Sequence, residues 1–212
     1  VEGLQPELFN PVTGEIRTLA TWQKVDGGTR VRFMVNDLAD GVFIVFRQAA
    51  ATPNVTDIDG ALGLFLDEHG QLLACGNTSG EYPMRLSDGT QRTVKVAAHS
   101  STIDLQPHGA PDAKGLQSYR ATFECSGDMI KHPRLRLDLG KVGIMASGTL
   151  NGQPLETRWM PPFAWNIHSL AKPGKNELEI TVSPLNQDSP ASIKGPVELK
   201  WEDISWPGQT SP

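Results

Sequence analysis

The sequence predicts an all-β protein built from antiparallel β-sandwiches, and three observations support this fold class. Apolar residues alternate with polar ones at the period of a strand, as at Leu135, Leu137 and Leu139. The chain has 21 Gly and 16 Pro in 212 residues, which is typical of many short strands and turns. Strand-like runs are not separated by helical patterns, as a parallel βαβ sheet would require, so the sheets are expected to be antiparallel.

Size and composition limit the function classes. The length suits one large or two small domains, and 38% hydrophobic with 20% charged residues suits a globular protein. The net charge is −5 and the basic residues are scattered, so neither nucleic acid nor an anionic membrane is an expected partner. No apolar run reaches the roughly 18–20 residues that span a bilayer. The start at Val1, without Met or a leader, is expected of a piece of a longer protein.

The densest strand pattern lies between Leu135 and Val182. Ile144–Leu150 and Gln153–Arg158 are predicted to form a hairpin, because Asn151-Gly152 between them favours a tight turn. The segment Trp159–Phe163 is expected to be stiff, since its two prolines fix φ and cannot donate to a ladder. A turn at Pro173–Asn176 precedes a closing strand in which Leu178, Ile180 and Val182 alternate with polar residues.

In order and spacing, this stretch resembles the galactose-binding-like β-sandwich, the sugar-binding module of the β-galactosidase superfamily. The version it resembles most is the C-terminal region of family 106 α-L-rhamnosidases. The residues that carry the resemblance are Leu137–Gly140, Leu150–Gly152, Trp159, Pro161–Phe163, Ile167, Leu170, Pro173–Asn176 and Leu178–Val182. Asn10–Ile16, Gly28–Val31 and Val42–Arg47 are similar to the small β-domain that follows the catalytic barrel in such enzymes. The resemblance implies a galactose-binding-like jelly roll preceded by a smaller β-domain.

We therefore expect three segments: a small post-barrel β-domain over 1–50, hairpins and connectors over 51–115, and the galactose-binding-like sandwich over 116–206. Residues 48–60 and 99–115 are predicted to be linkers, the second with a short strand near Ile103. Ile16–Trp22 is predicted to be one strand. Val42–Phe46 is continuously apolar and is predicted to be buried on both faces. Val197–Ile204 is expected to be the last strand.

Catalytic residues are not expected in this chain. A glycosidase needs two carboxyl groups that flank the scissile bond, but the acidic residues here lie in predicted turns or on polar strand faces. The barrel that carries the acid and base in the resembled enzymes is not evident. No G-x-S-x-G or zinc-ligand spacing occurs either.

No cofactor is expected, apart from a structural calcium that the resemblance allows. Galactose-binding-like modules often hold calcium through loop carboxylates, and Asp57, Asp59 and Asp67 lie in predicted loops. Cys75 and Cys125 are expected to be buried free thiols, with a disulfide, which would imply export, as the alternative.

Carbohydrate is the candidate ligand, since sugars stack on aromatic rings and bond to planar polar groups. The candidate residues are Asn151, Arg158, Trp159, Trp165 and Asn166. Asn151 has an alternative role in the turn and Trp159 in packing. Two functions follow: a non-catalytic region that supports the catalytic domain of a rhamnosidase-like glycoside hydrolase, or an autonomous carbohydrate-binding module. The resemblance also implies a bacterial protein that is secreted or periplasmic.

Overall fold

The structure, a computed structural model, describes residues 3–11, 14–34, 41–50, 53–60, 62–67, 69–75, 78–184 and 191–205. Regular structure in these ranges is β-strand, apart from one turn of 3-10 helix at Met129–Lys131. The strands pair antiparallel, so the predicted all-β class is confirmed. The chain divides into two compact units, residues 1–98 with 202–212, and residues 99–201.

The first unit is built from two antiparallel sheets and a separate hairpin. One sheet has the strand order β5-β1-β2-β7-β8, the other contains the run β10-β9-β6, and β3 pairs with β4. The strands are β1 Leu4–Phe9, β2 Ile16–Leu19, β3 Trp22–Val25, β4 Gly28–Val31, β5 Phe43–Ala49, β6 Val55–Ile58, β7 Gly63–Leu66, β8 Leu72–Cys75, β9 Gly80–Leu86 and β10 Gln91–Ile103, of which residues 91–98 belong to this unit.

The two sheets of the first unit share one apolar core. Leu64 and Ala74 from β7 and β8 belong to the same buried cluster as Met84 and Val94 from β9 and β10. Each of these side chains is at most 5% exposed. Face-to-face packing of two antiparallel sheets around such a cluster makes this unit a small sandwich.

Two sequence predictions for the first unit are wrong. The predicted strand Ile16–Trp22 is divided between β2 and β3, which belong to different sheets. The apolar run Val42–Phe46 is not buried on both faces, because β5 is an edge strand and Phe43 is 63% exposed. A continuous apolar run is compatible with an edge position as well as with a central one, and only the pairing decides between them.

The second unit contains a five-stranded sheet with the order β11-β12-β18-β15-β16 and the run β17-β13-β20 of a second sheet. A short pair, β14 with β19, lies outside both. The strands are β11 Gln106–Pro107, β12 Gln117–Cys125, β13 Arg136–Asp138, β14 Lys141–Val142, β15 Met145–Leu150, β16 Gln153–Arg158, β17 Ala164–Asn166, β18 Gly174–Ser183, β19 Ile193–Lys194 and β20 Val197–Ser205.

The core of the second unit follows from the predicted alternation. Leu178, Ile180 and Val182 of β18 are at most 1% exposed, and the intervening Glu177 and Glu179 are exposed. Leu135, Leu137 and Leu139, around β13, are fully buried in the same cluster. The hairpin of β15 and β16 around Asn151-Gly152 is also confirmed.

One predicted linker is partly strand. Residues 99–115 read as a connector, but β10 continues without a break to Ile103, and β11 pairs with β12. The alternation of apolar and polar residues does not predict this part of the strand, because it contains consecutive polar residues at His99, Ser100 and Ser101.

Candidate functional site

The exposed part of the predicted carbohydrate site lies where β16 ends, at the edge of the five-stranded sheet. Trp159 follows the strand directly and is 58% exposed. The Arg158 side chain is only 11% exposed, and its Nη2 lies 3.4 Å from Glu156 Oε2. Arg158 Nε is buried and has no hydrogen-bond partner within the described residues. The exposed groups at this end of β16 are therefore the indole of Trp159 and the carboxylate of Glu156, while the Arg158 side chain is mostly buried.

Trp165 lies in the core instead. It is 4% exposed and sits on β17, where it pairs with Leu137 of β13. Its Nε1 donates to the carbonyl oxygen of Glu156 at 2.7 Å. Since Glu156 belongs to β16, this hydrogen bond links the two sheets of the second unit.

Asn151 is held by the backbone around it. Its φ of 54° is a left-handed conformation that asparagine tolerates better than most residues. Its Nδ2 donates to the carbonyl oxygen of Leu170 at 3.0 Å and to Asn176 Oδ1 at 2.9 Å, while its Oδ1 accepts from the amide of Glu177 at 3.0 Å.

Asn166 is exposed at the end of β17. Its Nδ2 donates to the carbonyl oxygen of Pro133 at 2.8 Å, and its Oδ1 accepts from the amide of His168 at 3.1 Å. These bonds fix the side chain against the neighbouring loop.

Arg158 and Trp159 are thus neighbours in sequence at the end of β16, and Trp165 is joined to the same strand through the carbonyl oxygen of Glu156. Arg158 pairs with Ala146 at one end of the β15–β16 hairpin, whereas Asn151 lies in the turn at the other end. Glu156 was not among the predicted site residues. Its spacing of two from Arg158 on one strand places both on the same face, which is the signal that could have identified it.

The three calcium candidates lie in the first unit, where Asp57 and Asp59 line one pocket. Asp57 Oδ1 is 3.5 Å from Arg32 Nη1, and Asp67 Oδ1 accepts from the amides of His69 and Gln71 in the β7–β8 turn. Over the parts of the chain that the structure describes, no three His, Cys, Asp or Glu side chains are grouped as a metal site. A structural calcium stays a prediction.

A lysine joins two carboxylates on the β13–β20 pair. Lys200 Nζ is 2.8 Å from Asp138 Oδ2 and 3.2 Å from Glu198 Oε2. Burial lowers the pKa of Lys200, but hydrogen bonds to the two carboxylates and their charges outweigh this and raise it above the ordinary value. The two acids therefore form an ion-pair group around one ammonium.

Cys125 is a buried free thiol at the end of β12. Burial, and to a lesser degree the neighbouring charge of Glu124, raises its pKa. The side chain of Cys75 lies outside the described residues.

The chain is similar in sequence to part of one longer protein and in fold to part of another. It is 32% identical over 115 residues to a protein of Formosa agariphila named "Putative beta-glucuronidase", an alignment that covers 54% of this chain and 10% of that protein. Its fold is similar to that of a rhamnosidase from Novosphingobium sp. PP1Y, with a TM-score of 0.58 and 24% identity. That superposition covers 96% of this chain and 21% of the rhamnosidase. No protein-family model matches the chain.

Both relatives carry the names of glycoside hydrolases, and the chain corresponds to a small share of each. Within the residues that the structure describes, no helix has the length and apolar character needed to cross a bilayer.

Proposed function

We propose that the chain is a non-catalytic accessory region of a larger glycoside hydrolase of the α-L-rhamnosidase type, with family 106 as the family it resembles. The observation that carries this proposal is the unequal coverage of the fold similarity, 96% of this chain against 21% of the rhamnosidase. A segment with that relation to a longer enzyme is expected to accompany the catalytic domain. In this role the chain supports the catalytic domain of a secreted or periplasmic bacterial enzyme by docking against it.

Activity of the isolated chain is the direct test. We expect no turnover of 4-nitrophenyl α-L-rhamnopyranoside or 4-nitrophenyl β-D-glucuronide by the purified 212-residue chain. In the enzyme that contains the chain, its deletion should lower the temperature of thermal inactivation. Turnover of either glycoside by the isolated chain would contradict the proposal.

A second function, an autonomous carbohydrate-binding module, is favoured by one observation. Trp159, which directly follows β16, is 58% exposed. An exposed indole can stack on the CH face of a sugar.

Calorimetry of the chain with rhamnose-containing and galactose-containing polysaccharides separates the two functions. Binding that Trp159→Ala abolishes would support the binding module. The matched control is Phe43→Ala, which removes an exposed aromatic ring from the other unit. Absence of binding in folded protein would favour the accessory role alone.

A further inference from the structure

The turn between β15 and β16 contains the only Asn-Gly dipeptide of the 212-residue sequence, Asn151-Gly152. Asparagine is a thermolabile residue, and it is most reactive before glycine, because glycine has no side chain to shield its backbone nitrogen. In the reaction of such a pair, this nitrogen attacks Cγ of the asparagine side chain. Gly152 is exposed and Asn151 is half-buried, so burial alone does not protect the dipeptide.

The conformation of the turn opposes this attack. Asn151 and Gly152 have φ values of 54° and 79° in a two-residue hairpin loop, which is the pattern of a type I′ turn. Ring closure requires the Gly152 nitrogen to lie on the same side of the Cα–C bond as Cβ of Asn151. In a type I′ turn, ψ of the first central residue is roughly +30°, and this nitrogen then lies nearly opposite Cβ. The turn must therefore open before the attack can occur.

Hydrogen bonds hold the side-chain amide of Asn151 away from Gly152. Asn151 Nδ2 is bonded to the carbonyl oxygen of Leu170 and to Asn176 Oδ1, and Asn151 Oδ1 is bonded to the backbone amide of Glu177. The backbone amide of Asn151 also donates to the carbonyl oxygen of Glu177 at 2.8 Å. Asn176 is fully buried, so its position is set by the interior and not by the exposed turn. Rotation of the Asn151 amide toward the Gly152 nitrogen breaks these side-chain bonds.

We propose that Asn151 is a latent deamidation site, which the bond to Asn176 keeps unreacted in the folded chain. When the turn opens, the Gly152 nitrogen loses its proton to hydroxide and forms a bond to Asn151 Cγ. The Cγ–Nδ2 bond breaks, and Nδ2 takes up a proton and leaves as ammonia. Water then opens the resulting succinimide at either carbonyl, which leaves aspartate or isoaspartate at position 151. The reaction needs no oxidant, metal or enzyme, and it is independent of carbohydrate binding.

The product does not fit the hydrogen bonds that the asparagine makes. An ionised aspartate has only acceptor oxygens, so its carboxylate would face the carbonyl oxygen of Leu170 and Asn176 Oδ1 with no donor between them. Isoaspartate would also add one carbon to the backbone of a two-residue turn. Either product should therefore keep the turn open, and the modification irreversibly marks chains in which this hairpin has opened.

The test is peptide mass spectrometry of the 212-residue chain after incubation at mildly alkaline pH, in buffer and in guanidinium chloride. Trypsin cuts after Lys141 and Arg158, and the peptide 142–158 contains Asn151 as its only asparagine. We expect conversion of this amide to an acid to be about a hundredfold slower in buffer, because it requires local opening there. Asn166, which precedes a β-branched residue on the next tryptic peptide, should react far more slowly in guanidinium chloride and is the internal control.

Two variants test whether the bond to Asn176, and not overall stability, protects Asn151. Asn176→Ala removes an acceptor of Asn151 Nδ2 and should speed the reaction in buffer about tenfold, the factor expected for one good hydrogen bond. Trp165→Phe removes a hydrogen bond of the same unit that does not involve Asn151, and it should leave the rate close to that of the unsubstituted chain. In guanidinium chloride, all three chains should react at the same rate.

Three results would overturn the proposal. Equal rates in buffer and in guanidinium chloride would mean that the fold does not protect Asn151. Absence of reaction in guanidinium chloride would mean that the dipeptide is not reactive. Equal acceleration by Asn176→Ala and Trp165→Phe would assign the protection to global stability. If Asn176→Ala does not fold, the rate of Trp165→Phe in buffer decides, because an unchanged rate supports local protection and an accelerated one overturns it.

Discussion

Asn151 and Asn176 are joined side chain to side chain, with Asn151 Nδ2 at 2.9 Å from Asn176 Oδ1. Asn176 is fully buried near the start of β18. Its Oδ1 also accepts from the amide of Lys172 at 2.9 Å, and its Nδ2 donates to the carbonyl oxygens of Lys172 and Gly174, each at 2.8 Å. The pair connects the β15–β16 turn to the loop before β18.

Replacement of Asn176 by alanine should destabilise the second unit by about 2–3 kcal/mol, because the partly buried backbone groups at Lys172 and Gly174 and the side chain of Asn151 lose their partner. Urea unfolding followed by circular dichroism measures this free energy. Gln153→Ala, an exposed change in the neighbouring hairpin, is the control and should stay within about 0.5 kcal/mol. Equal effects for both variants would mean that the asparagine network contributes nothing.

Gly148 in β15 leaves no room for a side chain. A Cβ there would lie 2.1 Å from the carbonyl oxygen of Glu179 and 2.8 Å from Ile180 Cδ1, both on β18. Gly148→Ala should therefore cost about 3 kcal/mol, since the backbone of a central strand must move. Thermal unfolding of this variant is compared with Gly127→Ala, where a Cβ meets nothing within 4 Å. A transition unchanged from that of the control would contradict the packing at Gly148.

The sequence predicts the strands of the second unit well where burial alternates. Gln153–Arg158 is the strand that the Asn151-Gly152 turn predicts, and Leu135, Leu137 and Leu139 are all buried. These features depend on local periodicity and on turn chemistry, and both can be read from neighbouring residues.

Other features depend on partners that are distant in sequence. β5 is an edge strand because it pairs with β1 and with no other described strand. The end of β10 is polar, although these residues are part of the strand. In the candidate site, Pro161 and Pro162 interrupt the alternation of apolar and polar residues. The two-residue period of a strand therefore does not predict whether Trp159 or Trp165 faces the core. A carbohydrate role for the five candidate residues remains a prediction.

The ion-pair group around Lys200 gives a pH dependence with a definite sign. The pKa of Lys200 is raised in the folded protein, so its contribution to stability is complete below the unfolded value of about 10.4 and is lost as pH rises through the folded value. Lys200→Met should lower the free energy of unfolding by less than about 1 kcal/mol at pH 7, because the group is partly exposed.

The difference between wild type and Lys200→Met should then shrink above about pH 10.4. Urea titrations at pH 7 and at alkaline pH measure it, and Lys175→Met, at an exposed pair with Glu177, serves as the control. A difference that grows at alkaline pH would show that the lysine acts through something other than its charge.

Replacement by alanine should destabilise the protein far more at Trp165 than at Trp159. Trp165→Ala removes a side chain that is 4% exposed, together with the Nε1 hydrogen bond to Glu156, and should cost about 3–5 kcal/mol. Trp159→Ala removes a side chain that is 58% exposed and should cost less than about 1 kcal/mol.

Trp165→Phe separates the contribution of packing from that of the hydrogen bond. It keeps an aromatic ring in the core but removes the indole N–H that donates to the carbonyl oxygen of Glu156. We expect it to be less destabilising than Trp165→Ala, with about 1–3 kcal/mol attributable to the unpaired carbonyl oxygen of Glu156. Chemical unfolding of the three variants under one set of conditions measures all of these values. If Trp159→Ala proved as costly as Trp165→Ala, Trp159 would be a packing residue, and the proposed carbohydrate contact at the end of β16 would lose its aromatic surface.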